Sequence, residues 1–235
     1  MRQILIILLC LLWAFQADAG RTLILTTGED TTIQEISVLV LKEAYASLGH
    51  DIDILRIPNA RALHTSNAGN ADGEVSRIDG IKKKFSNLIQ IPVAVNYLEG
   101  VAFGRDSTLD ISGWASLKKY RIVGVMGVKF VEYNYARHSI ASHNVYLFTQ
   151  AVRMIQSGRY DVAVFPRVNG LAAIRSIQAE EVKPIGPPLI TTRLYHYLHK
   201  KNKALLPEIK TALDKMEKSG RIAQIRQQFV QDNNF

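Results

Sequence analysis

A glycine followed three positions later by an aspartate occurs at Gly69-Asn70-Ala71-Asp72. It occurs again, 89 positions on, at Gly158-Arg159-Tyr160-Asp161. Each copy follows a helix-like run, Asn59–Ser66 in the first and Val145–Ser157 in the second. Each leads into a strand-like run, Gly73–Ile78 and Val162–Phe165. Glycine ends a helix because it accepts a left-handed backbone, and a short strand starts just beyond it. Finding the unit twice predicts two lobes built on one plan. Two lobes enclose a cleft, the usual place for a small molecule. The two aspartates themselves are expected to bond nearby backbone groups rather than a ligand.

The N-terminus reads as a secretory signal peptide. Arg2 supplies a positive start, Ile4–Phe15 an apolar core, and Ala17-Asp18-Ala19 a small-x-small cleavage site, so Gly20 is the expected mature start. An uncleaved anchor is the other reading, but the apolar run is short of the ~20 residues that a span needs. Cys10 follows Leu8-Leu9, which does not suit lipid attachment. It is also the chain's one cysteine, so the mature protein has no disulfide, thiol nucleophile or cysteine metal site. The remaining 216 residues suffice for a sizeable core and for two lobes.

The formal charge of +8 survives removal of the leader, since Arg2 and Asp18 leave together. Such a balance favours anionic ligands and surfaces. It does not point to nucleic acid. The basic runs Lys82-Lys83-Lys84 and Lys200-Lys201 read as solvated faces, and no aromatic residues interleave with them as a stacking groove requires.

The order of elements is α/β. Arg21–Thr27 is a strand, Gly28–Thr32 a turn with Thr31 or Thr32 as helix cap, and Ile33–Leu48 a helix stopped by Gly49. Ile52–Ile57 is a second strand, so this unit predicts parallel pairing with a right-handed crossover. Leu88–Val95 and Glu99–Arg105 are further extended segments, and Asp106–Ser112 is a polar lobe boundary. Arg121–Met126 is a buried strand, Val128–Ala141 helical or irregular, and Val145–Gln156 a helix. Glu181–Ile190, with three prolines, is an extended return segment. Tyr195–His199 is a strand, and Leu205–Met216 and Ile222–Phe229 are helices.

With these residues in view, the chain resembles the bacterial extracellular solute-binding proteins of family 3. The carriers are the export signal, the two Gly-x-x-Asp units and the terminal Leu205…Leu213…Lys218-Ser219-Gly220-Arg221-Ile222 pattern. Ala71-Asp72-Gly73-Glu74-Val75-Ser76-Arg77 resembles the first-lobe segment that ends in that family's ligand-binding arginine. The resemblance implies a type II periplasmic-binding fold, each lobe a mixed sheet flanked by helices, with a hinge of two crossing segments. It implies a discontinuous lobe I (20–103 and 187–235) and a lobe II (104–186). It also implies a periplasmic monomer that closes on a small polar solute, carboxylate-bearing and amino-acid-like, for delivery to an ABC importer. Two departures stand out. The first loop, Thr27-Gly28-Glu29-Asp30, lacks the family's aromatic and proline. Val164-Phe165-Pro166-Arg167 lacks the second-lobe acid that holds an ammonium group. An anionic ligand, or an orphan sensory module acting on a membrane receptor, is therefore the alternative.

Candidate ligand contacts follow. Arg77 offers a guanidinium fork suited to a carboxylate; the competing roles are a surface arginine or an internal ion pair with Glu74 or Asp79. Gly127 and Lys129 lie where a strand opens into a helix, so backbone N–H groups there suit an anion or simply make a turn. Gly28 and Glu29 lie at the carboxyl end of the first strand, where ligands bind in open α/β sheets. Glu29 and Asp30 suit a ligand amine or the helix start. Arg167 would add a second anion contact, or be a solvated loop residue. His196 and His199, three apart on a strand, point to opposite faces and share no metal. No nucleophile elbow or catalytic constellation appears, so no catalytic residue, metal or cofactor is expected, and an enzyme on the same fold is the least favoured reading.

Overall fold

The computed structural model describes residues 21–29 and 31–235. The expected signal peptide and Asp30 lie outside them. The chain runs β1 (Thr22–Gly28), α1 (Thr32–Ala46), β2 (Asp51–Ile57), α2 (Asn59–Asn67) and β3 (Gly73–Arg77). After the long β4 (Leu88–Gly104) the plan repeats as β5 (Ile122–Val125), α3 (Lys129–Arg137), β6 (Ser142–Val145), α4 (Phe148–Gln156) and β7 (Val162–Pro166). Helix α5 (Arg167–Ser176), the long β8 (Lys183–His199) and helices α6 (Leu206–Lys218) and α7 (Arg221–Asp232) complete it.

One mixed sheet carries all eight strands, in the order β2-β1-β3-β8-β4-β7-β5-β6. Strands β2-β1-β3 are parallel, as are β7-β5-β6. The two groups are joined by β8 and β4, which pair antiparallel with each other and with their neighbours. The sequence reading of one mixed sheet per lobe thus becomes a single sheet. Its two halves share two 17-residue strands.

Two large cores sit against this sheet, with a smaller cluster of Leu63, Phe85, Leu88 and Tyr197 beside them. One gathers Leu23, Leu25, Leu41, Tyr45, Val95, Leu198 and Leu213. The other gathers Leu98, Phe103, Val123, Phe148, Ile155, Phe165 and Leu194. The change of core falls between Val95 and Leu98 on β4 and between Leu194 and Leu198 on β8. Ile33, at the start of α1, packs with the second core although its helix belongs to the first.

The Gly-x-x-Asp units explain the repeat. Gly69 and Gly158 take the left-handed backbone, at φ 82° and 73°. The Asp72 N–H donates to the Ile24 carbonyl (2.7 Å), and the Ile24 N–H donates back to the Asp72 carboxylate (2.9 Å). The Asp161 N–H donates to the Arg121 carbonyl (2.9 Å), and the Arg121 N–H donates back to the Asp161 carboxylate (2.8 Å). Each aspartate also takes an arginine at the head of that neighbouring parallel strand: Arg21 on Asp72 and Arg121 on Asp161. The backbone role expected of both residues is the one observed.

Three local expectations change. Val145 ends β6, and α4 starts only at Phe148; the parallel ladder with Val125 claims Val145. The two extended segments expected over 88–105 are one strand, Leu88–Gly104, whose register against β8 shifts between Gln90 and Asn96 and again between Gly100 and Ala102. The Thr31 hydroxyl does not cap α1; it donates backwards to the Gly28 carbonyl (2.7 Å).

Candidate functional site

The carboxyl ends of β1, β2 and β3 face those of β5 and β7 across the space between the two cores. Five residues meet there. Arg77 ends β3, Asn59 opens α2, Gly127 and Lys129 open α3, and Asn169 lies in the first turn of α5. All five border a cavity of about 90 Å³, whose remaining wall includes Leu63, Ile78, Leu98, Phe130 and Phe148. A wider groove of about 780 Å³ lies between Gly28, Thr31 and Arg56 on one side and Leu147, Phe148 and Asn169 on the other.

Two contacts beside this cavity cross from half to half. The Ile33 N–H donates to Asn169 Oδ1 at 3.0 Å, over 136 residues of chain. Gly127 lies so near Asn59 that a Cβ on it would sit 3.1 Å from that of Asn59. Gly127 also has φ 86°, a backbone that side chains other than glycine's rarely take.

Charge in the cleft is matched from within. Arg77 is a cavity residue, but its fork is turned on Glu74: Nε lies 2.7 Å and Nη2 2.5 Å from Glu74 Oε1. Nη1 donates to Asn59 Oδ1 at 2.9 Å, and Nη2 to the Asn59 carbonyl at 3.4 Å. Glu74 is fully buried, which pushes its carboxyl up, while Arg77 and the Thr26 hydroxyl pull it back down. The ion pair with Glu74, one of the roles open to Arg77, is therefore present. Asp79 takes no part; its carboxylate accepts the Gly80 N–H. At the head of α3 the Gly127 N–H donates to Glu132 Oε1 (2.6 Å), and Lys129 Nζ donates to Glu132 Oε2 (2.5 Å). The anion position offered by that helix is filled by the helix's own carboxylate. At the wider groove Arg56 is forked onto Glu35.

The structure separates the remaining sequence candidates from this cavity. Gly28 is buried beside Asn59, whose Oδ1 stands where a Cβ would go, and it lines the wider groove. Glu29 sits exposed on the turn after β1 and does not border the cavity. Arg167 is placed elsewhere: its Nε donates to Glu99 (3.0 Å) in a separate groove with Tyr97 and Phe235. Its side chain leaves α5 on the side opposite Asn169, two residues along the helix.

Asn59 and Asn169 carry no sequence signal of their own. Asn59 follows the strand-ending Pro58, and Asn169 sits beside Gly170 in a helix with little apolar periodicity. Asn169 is nonetheless the most informative side chain of the site. It is 2% exposed, its Oδ1 accepts the Ile33 N–H, and its Nδ2 is buried without a partner. Among the described residues, five buried side-chain polar atoms lack a partner, and this is the one on the cavity wall.

The architecture has many counterparts among solved structures. A histidine kinase sensor domain with similarity to periplasmic binding proteins superposes with a TM-score of 0.74, at 16% identity over 91% of this chain and 97% of its own. A probable amino-acid ABC transporter extracellular-binding protein of Bacillus subtilis gives 0.73, at 15% identity over 89% and 98%. The chain has the periplasmic-binding-protein fold. An ancestral arginine-binding protein bound to arginine gives 0.69, at 17% identity over 88% and 97%. These likenesses establish architecture. By sequence, an uncharacterized protein of Shewanella oneidensis is 25% identical over 199 residues, 81% of this chain and 74% of that one. No protein-family model matches the chain. Among the described residues no helix is long and apolar enough to cross a membrane, and no group of three metal-ligating side chains forms.

Proposed function

We propose that this chain is an exported solute-binding protein whose two halves close on one small molecule. In this reading the mature protein begins at Gly20 and works in the periplasm. Lobe I is 20–103 with 187–235, and lobe II is 104–186, with Leu98–Phe103 of β4 and Leu189–Leu194 of β8 packed on the core of lobe II. The two crossing strands β4 and β8 form the hinge. The observation that carries the reading is the cavity itself. It is walled by Arg77 and Asn59 from one half and by Gly127, Lys129 and Asn169 from the other. A site shared between two bodies gains contacts only when they close, so ligand binding shifts the population toward the closed form.

A membrane partner then reads closure. Delivery to an ABC-type importer is the first assignment, supported by the transporter-binding proteins that share the fold. A sensory role on a membrane receptor is the second, supported by the kinase sensor domain that shares it equally well. Arg77 contributes to the ligand wall in either case, with its charge held on Glu74.

The test is a thermal-shift screen of the chain beginning at Gly20 against amino acids, monocarboxylates, dicarboxylates and neutral amides. A ligand at a hundred times its dissociation constant stabilises by ~2.7 kcal/mol. A solute that raises the midpoint in the wild type, but far less in Asn169→Ala, which removes a polar group from the lobe II wall, supports the reading. Hydrolysis or conversion of that solute by the purified protein would overturn it in favour of an enzyme.

A further inference from the structure

The cleft's internal charge balance says what kind of molecule suits it. We infer that the cavity accepts a small uncharged molecule bearing a carbonyl-type acceptor, and not a charged amino acid; the inference rests on the solute-binding reading above. Three observations on the cavity wall carry it.

First, its cations are taken. Nε, Nη1 and Nη2 of Arg77 all donate within the protein, and Lys129 is held by Glu132. A ligand carboxylate would displace Glu74 or Asn59, or lie unpaired beside the Glu74 carboxylate. Second, among the described residues no aspartate or glutamate borders the cavity. An ammonium group would be buried without a counter-charge, which costs far more than burying a neutral amide. Third, one donor is free. Acceptance of the Ile33 N–H by Oδ1 fixes the orientation of the Asn169 amide, so Nδ2 is a donor by elimination. A buried donor without a partner calls for an acceptor atom. A neutral carbonyl oxygen supplies one without bringing a charge, and the apolar wall at Leu98, Phe130 and Phe148 suits the rest of the molecule.

Size narrows the class. A cavity of ~150 Å³ admits the six carbons of benzene, so one of about 90 Å³ holds about four heavy atoms. Acetamide, acetate and glycine are the matching neutral, anionic and zwitterionic probes.

The experiment is an ¹H–¹⁵N NMR titration of the chain beginning at Gly20 with each of the three. The expected result is that acetamide moves the Asn169 side-chain amide and the Ile33 amide, with an affinity at least tenfold above those of acetate and glycine. Asn169→Asp keeps shape and the Oδ1 acceptor while deleting the donor, and is expected to weaken acetamide at least tenfold. Should that variant fold poorly, the wild-type comparison of the three probes decides alone. Tighter binding of acetate or glycine overturns the inference and leaves the solute-binding reading standing. So does a charged solute from the thermal screen that moves the same signals more strongly. Failure of acetamide to move either cleft signal overturns the inference whatever the screen finds.

Discussion

Asp72 and Asp161 hold equivalent strands, yet their surroundings differ enough to predict different costs. The Asp72 side chain is 9% exposed and is shared by the Ile24 N–H, Asn202 Nδ2, Arg21 and Lys201. The Asp161 side chain is 31% exposed and serves Arg121 alone. Removing an acceptor from several buried donors costs ~3 kcal/mol, and loosening a partly solvated pair ~1 kcal/mol. Asp72→Ala is therefore expected to destabilise by about 3 kcal/mol and Asp161→Ala by about 1 kcal/mol in urea unfolding. Equal costs would mean that burial does not set the difference. Burial alone would raise the Asp72 carboxyl, but the Ile24 N–H, Asn202 and Lys201 hold it below the usual value. Its stabilisation is thus complete above the unfolded value near ~3.9 and is lost as pH falls through the folded value. The deficit of Asp72→Ala should accordingly shrink below about pH 4. Arg77 offers a second prediction at this scale. Truncating it leaves the Glu74 carboxylate buried and unpaired, at a cost of ~3–5 kcal/mol. Arg77→Ala should lose that much ligand-free stability, and Glu74→Gln in the same chain should restore part of it. An Arg77→Ala protein as stable as wild type would show that the pair is not held as described.

At the scale of elements, α1 meets β8 and β3 through one buried histidine. His196 is fully buried; its Nε2 lies 2.8 Å from the Tyr45 hydroxyl on α1, and its Nδ1 2.8 Å from the Glu74 carbonyl on β3. Burial pushes its pKa down to about 4. The unfolded chain binds the proton near pH ~6.5, so between the two values only the unfolded state is protonated and stability falls with pH. From pH 7 to pH 5 this one group should cost about 2 kcal/mol. His199 is lowered by burial too and adds in the same sense. His196→Gln is expected to flatten the drop by about 2 kcal/mol in urea titrations at the two pH values. An unchanged slope would assign the acid loss elsewhere. Much at this scale was legible in the chain, because strands β1, β5 and β7 are largely apolar runs and β2 alternates in part, each between clear stops. What was not legible was set by tertiary partners. Helix α5 reads poorly since Gly170 is there to admit Phe103, whose ring atoms lie 2.3–2.9 Å from where a Cβ would stand. Val145 keeps helical spacing with Phe148 and Val152, yet the β5 ladder takes it. The site was half legible: Arg77, Gly127 and Lys129 follow strand ends in the sequence. Asn59 and Asn169 stand 110 positions apart and become a pair only when the two halves meet.

The molecule as a whole has two cores and one sheet, which raises the question of whether the halves melt together. Two independent bodies joined by flexible linkers would unfold separately. Here the joints are not linkers. Strands β4 and β8 remain hydrogen-bonded across the point where one core gives way to the other, from Asn96–Leu194 through Gly100–Ile190. Losing either core frees one end of both strands, so each half supports the ladder on which the other packs. Cooperative unfolding is the expected consequence, and a single tryptophan reports it. The chain beginning at Gly20 has Trp114 alone, and Trp114 packs against the second core. Leu213 is fully buried in the first core, and Leu213→Ala should cost ~2–5 kcal/mol. If the halves are coupled, that substitution lowers the urea midpoint seen by Trp114 fluorescence as much as the midpoint seen by far-ultraviolet circular dichroism. Coincident transitions from probes in different places are the mark of two-state unfolding. If Trp114 keeps its wild-type midpoint while the dichroism splits into two steps, the crossing strands act as a hinge in unfolding as well as in closure. The ladder between Asn96 and Gly100 would then be too weak to join the cores.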